Sequence, residues 1–81
     1  MDNLYVMGIL VDKRTKSAPK VQEVLTQYGD NIVSRFGTHD PDEVEHGLIT
    51  VHVKGKEDCL KGLSHQLESL DGVVVRSVQM K

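Results

Sequence analysis

A chain of 81 residues holds one core and little else, because a domain of this size buries only about 60% of the surface that its unfolded chain exposes. Ten Lys and Arg against 12 Asp and Glu give a formal net charge of -2, which is neither a nucleic-acid footprint nor an acidic tail. Stretches of about 18 apolar residues that could span a bilayer are missing, Met1-Asp2-Asn3 is not the basic start of a signal peptide, and the lone Cys59 has no disulfide partner within the chain. These features predict one cytoplasmic domain over residues 1–81 with no membrane association and no direct nucleic-acid binding.

Leu4 to Val11 (LYVMGILV) is an unbroken apolar run of strand length, ended by the charged segment Asp12 to Lys16, and predicts a strand over 4–12. Ser17 is suited to cap the following turn and Pro19 to sit in it, so a helix is expected over 18–28. Val21, Val24, Leu25 and Tyr28 fall on one face of that helix, and Gly29 is read as its left-handed terminator.

Residues 31–39 (NIVSRFGTH) and 47–54 are rich in β-formers and flank the acidic connector Asp40 to His46, which predicts an antiparallel hairpin. Leu60, Leu63, Leu67 and Leu70 mark a second helix over 57–70, with Glu57 and Asp58 at the favourable end of its dipole. Asp71-Gly72 closes it, and Val73 to Met80 supplies a last strand over 73–80.

The order βαββαβ is the split βαβ, or ferredoxin-like, arrangement: a four-stranded antiparallel sheet with both helices on one face and the first and third strands in its middle. The first strand is apolar on both sides, with Leu4, Val6 and Leu10 alternating with Tyr5, Met7, Ile9 and Val11. A central strand of that kind needs cover on both faces, so a homodimer or homotetramer packed through the sheets is expected.

Three constellations carry the candidate chemistry. Asp12, Lys13, Arg14 and Ser17, with Lys16 and Lys20 nearby, surround the start of the first helix, where a small anionic effector could dock; an ordinary basic loop is the competing reading. The connector HDPDEVEH brings His39 and His46 together with four acids, and His52 follows on the third strand; these three histidines are the candidate ligands of a nickel or zinc site, against a solvated hairpin loop. Cys59, beside Leu60 and Leu63, reads as a half-buried filler rather than a reactive thiol. No cofactor is named by any motif. Enzyme chemistry is not expected, because no nucleophile, base and orienting group can be placed together. The LYVMGI segment matches the first-strand signature of RNA-recognition motifs, but the third strand, GLITVHV, lacks the aromatic platforms that RNA binding needs.

The opening apolar strand, the segments IVSRFG (32–37) and GLITV (47–51), and the closing LDGVVVR (70–76) resemble the small ACT-like family of iron-only hydrogenase system regulators, over nearly the whole chain. The resemblance implies a non-enzymatic regulatory module linked to hydrogenase maturation, binding a small effector or a protein partner. That family is similar to the C-terminal domain of nickel-responsive repressors, which is ACT-like, tetrameric and binds nickel through histidines and a cysteine. His39 stands where one such ligand falls, and His46-Gly47 replaces the cysteine, so a metal sensor is the alternative function. ACT domains also hold amino acids near the loop between the first strand and first helix, where this chain has Asp12-Lys13 and a longer loop reaching Pro19.

Overall fold

The computed structural model describes residues 2–81. Its elements follow in the order β1 (Asn3–Asp12), α1 (Ala18–Gln27), a 3-10 turn (Gly29–Asn31), β2 (Ile32–His39), β3 (His46–Gly55), α2 (Glu57–Glu68) and β4 (Val73–Gln79). The sheet order is β2-β3-β1-β4 with every neighbouring pair antiparallel, so the ferredoxin-like βαββαβ arrangement holds and β1 and β3 are central.

Alternation along the strands sets which side chains build the core. On β1 the odd set wins: Tyr5, Met7, Ile9 and Val11 are buried, and they meet Val51 and Val53 of β3 and Val73 and Val75 of β4. Val21 and Leu25 of α1 and Leu63 and Leu67 of α2 close over them. Each such side chain contributes about 1.5–3 kcal/mol on burial, so this layer holds most of the stability available to so short a chain.

Residues directly opposite each other across a ladder share a face. The register Leu10↔Leu48, Gly8↔Thr50 and Val6↔His52, with Leu10↔Val74, Gly8↔Arg76 and Val6↔Val78 on the other side, therefore places all of these on the face away from the helices. Phe36↔Thr50 and Thr38↔Leu48 bring β2 into the same surface. No helix covers it. Phe36 is 69% exposed, Val78 62% and Val74 44%.

Two local expectations are corrected. Gly29 does not terminate α1 in the left-handed region, since the chain runs on from Tyr28 into a 3-10 turn in which the Asn31 amide donates to the Tyr28 carbonyl at 2.9 Å. Ser17 occupies the cap position of α1, yet its hydroxyl makes no cap bond. It turns instead to the Asp71 carbonyl at 2.6 Å, because the turn after α2 packs against this loop. Gly72 does take the left-handed conformation expected of the turn, with φ of 72°.

Candidate functional site

The loop from β1 to α1 is closed by its own polar groups. The Arg14 guanidinium donates to both carboxylate oxygens of Asp12, at 2.9 and 3.0 Å, and the Arg14 amide adds a third bond at 3.0 Å. Glu45 lies 3.4 Å from the same guanidinium. These side-chain and amide bonds from Arg14 lower the Asp12 pKa to about 2. Thr15 donates to the Asp12 carbonyl at 2.6 Å, and the Lys13 amide bonds the Glu45 carbonyl at 2.6 Å. Of the four residues singled out here, Asp12, Arg14 and Ser17 thus hold the loop in shape.

Lys13 is the fourth, and its side chain leaves the loop. Its stem lies over Gly47, where an added Cβ would come within 3.0 Å of Cε. There it borders a groove of about 340 Å³ between α1 and β2, floored by Val11, Ala18, Val21 and Ile49 and edged by Lys13, Gln22, Thr38 and His39.

The groove exists because of what β2 sends to the helix side. By register with the inward residues of β3, these are Arg35 opposite Val51, Gly37 opposite Ile49 and His39 opposite Gly47. Two glycines leave the floor low, and no side chain fills the space under α1. Arg35 is hydrogen-bonded to Gln22 across the gap. The groove therefore combines an apolar floor with Lys13 and His39 at one end and the Arg35–Gln22 pair beside the other. That composition suits a small molecule with an apolar body and an anionic group.

The three histidines are not brought together. His39 faces the helix side, with Nδ1 3.2 Å from the Asp40 carbonyl oxygen. His46 and His52 lie on the opposite face of β3, six residues and so about 20 Å apart. His52 Nδ1 is 2.9 Å from the Ser34 hydroxyl, and His46 sits opposite Asp12. Among the described residues no group of three His, Cys, Asp or Glu is placed to hold a metal ion. The acids of the connector fold it into a turn: the Asp42 amide donates to the Asp40 carboxylate at 2.9 Å. Burial, with a smaller push from Asp2, raises the pKa of the half-buried Cys59, the opposite of what a reactive thiolate needs.

Sequence reasoning missed Gln22, Gly37 and Ile49 as groove residues. The available signal was Gly37, a glycine inside a strand, which often marks a place where a ligand or another backbone approaches closely.

The architecture defines a ferredoxin-like domain, with an open groove between α1 and β2. The TM1266-like family, described as iron-only hydrogenase system regulator, matches residues 3–77, and the chain belongs to that family. The protein TM1266 from Thermotoga maritima is 28% identical, with a TM-score of 0.90 and 100% of both chains covered. A structure described as a candidate glycine cleavage system transcriptional repressor superposes with a TM-score of 0.68 at 13% identity, over 100% of this chain and 47% of that one. CPII from Thiomonas intermedia K12, bound to ADP, AMP and acetate, gives 0.55 at 12% identity, over 98% and 89% of the chains. The last two likenesses concern the fold. Among curated proteins none matches the chain. No helix among the described residues is long and apolar enough to cross a membrane.

Proposed function

We propose that this chain is a non-enzymatic sensing module of the iron-only hydrogenase system, and that it binds a small anionic effector in the groove between α1 and β2. The observation that carries the reading is the groove itself, an apolar floor of Val11, Val21 and Ile49 with the Lys13 ammonium and the His39 ring at its mouth. Membership of a regulator family supports a regulatory role. The neighbouring fold of CPII, crystallised with ADP, AMP and acetate, supports anions as the first class to test.

The experiment is a thermal-shift screen of amino acids, adenine nucleotides, short carboxylates and divalent metals, repeated on Gly37→Leu. A ligand that binds only the native state at 100 times its Kd stabilises by about 2.7 kcal/mol. A Cβ at Gly37 meets nothing within 4 Å, so the leucine fills the groove without disturbing the strand. Stabilisation by an anion that is lost in Gly37→Leu and weakened in Lys13→Ala supports the reading. Stabilisation by nickel or zinc that survives Gly37→Leu and disappears in His39→Ala, His46→Ala would replace it with metal sensing. No response to any of these compounds would leave a protein partner as the effector and overturn the groove assignment.

A further inference from the structure

We propose that the groove between α1 and β2 selects a two-ended anion, a dicarboxylate with an apolar chain between its ends, held by Lys13 at one end and Arg35 at the other. This rests on the groove being the effector site and names the chemical class of the effector.

The distribution of charge carries the inference. Asp12 and Glu45, acids of the two neighbouring loops, both turn to Arg14, at 2.9 and 3.4 Å. Among the described residues the ion pairs engage Arg14 and Lys61, and neither Lys13 nor Arg35 is paired with a carboxylate. Arg35 is hydrogen-bonded only to the neutral side-chain oxygen of Gln22. No Asp or Glu lines the groove. An α-amino acid would therefore set its ammonium among Lys13, His39 and Arg35 with no carboxylate to meet it. No Phe or Tyr lines the groove either, so a nucleotide base would have no such ring to stack on. A carboxylate at each end meets a cation, and an apolar chain between them lies on Val21 and Ile49.

Strand geometry sets the length. Lys13 lies over Gly47, which is opposite His39, and Arg35 is four residues back along β2. The two cationic ends are thus about 13 Å apart at the usual strand rise. A charge-assisted hydrogen bond takes up about 2.8 Å at each end, which leaves about 7 Å between the outer carboxylate oxygens. An extended chain covers about 3.5 Å for every three bonds, so about six or seven bonds separate those oxygens, as in adipate. On binding, Arg35 exchanges the Gln22 amide for a carboxylate, which is the stronger acceptor.

Isothermal titration of the full chain with adipate, hexanoate and 6-aminohexanoate tests this, because the three probes share a chain length and differ at one end. The single carboxylate of hexanoate is expected where Lys13 and His39 converge. Adipate should bind about fivefold more tightly than hexanoate, the factor for one exposed ion pair, and 6-aminohexanoate should bind more weakly than hexanoate. Arg35→Met should bring adipate down to the affinity of hexanoate and leave hexanoate unchanged, whereas Lys13→Met should weaken both. Arg76→Met removes the same charge from the opposite face of the sheet and should leave all three unchanged. Circular dichroism melts check that each variant folds. Equal affinity for adipate and hexanoate, with both abolished by Gly37→Leu, would overturn the two-ended assignment and leave the groove as the effector site. Equal losses in Arg35→Met and Arg76→Met would reduce Arg35 to a distant charge and overturn it as well. Tighter binding of 6-aminohexanoate than of adipate would show that the far end takes a cation, with the same result. If none of the three probes binds, the groove reading itself falls, and the proposal with it.

Discussion

The Ser17 hydroxyl donates to the Asp71 carbonyl at 2.6 Å, and this bond ties the start of α1 to the turn that follows α2, 54 residues away. Ser17 is 4% exposed, so water cannot easily replace its hydroxyl. Ser17→Ala strands the Asp71 carbonyl in the packed loop and should destabilise by about 1–2 kcal/mol in urea unfolding, with an unchanged slope. If the residue were acting as an ordinary helix cap, Ser17→Asp would be tolerated. A carboxylate facing the Asp71 carbonyl should instead cost more than the alanine.

Asp12 makes stability depend on acid in a definite direction. Its folded pKa, lowered to about 2 chiefly by the Arg14 side-chain and amide bonds, lies below the ordinary value of 3.8. The group therefore contributes stability above about pH 4, and the contribution is lost as pH falls through about 2. Thermal midpoints of the unmodified protein should fall across that window, and Asp12→Asn should flatten this part of the profile. Equal slopes in the two proteins would show that the Asp12–Arg14 pair is not felt by the fold.

Met7 and Val6 are neighbours with opposite roles. Met7 is 0% exposed and lies under both helices, whereas Val6 is half-buried on the bare sheet face. Met7→Lys forces a charge into the core at a cost above about 4 kcal/mol, a large part of the 5–15 kcal/mol available to a typical domain. The chain should lose its cooperative unfolding transition. Val6→Lys should keep that transition within about 1 kcal/mol and become more soluble. Circular dichroism melts of the two variants, side by side, give the answer.

Gly72 is held by both its backbone and its surroundings. With φ of 72°, a side chain there is strained, and an added Cβ would stand 2.8 Å from Thr15 Cγ2 and 3.0 Å from Asp12 Cβ. Gly72→Ala should destabilise by about 1–3 kcal/mol, with the loss shared between the turn and the β1–α1 loop. Hydrogen exchange should show the amide of Asp12, which donates to the Gly72 carbonyl at 3.0 Å, losing protection before the core strands do.

The fold was legible in the chain because its signals are local and strong. A period of two along β1, leucines at helical spacing in α2 and turn residues at 71–72 each select one conformation over a short span. The boundaries moved by one or two residues, where capping geometry decides, as at Ser69 after α2. The doubly apolar character of β1 was visible as well, but it named two faces without saying which was inside. Only packing could choose, since Met7 fits beneath the helices and Val6 aligns with His52 and Val78 on the other side. The site was less legible for the same reason. Asp12, Arg14 and Ser17 look available in sequence, and their partners, the Asp71 carbonyl and Glu45, come from distant turns that the strand register brings alongside. The groove is a space between α1 and the edge strand β2, left open by Gly37 beside Gly47 of β3, and a space of that kind exists only once the layers have docked.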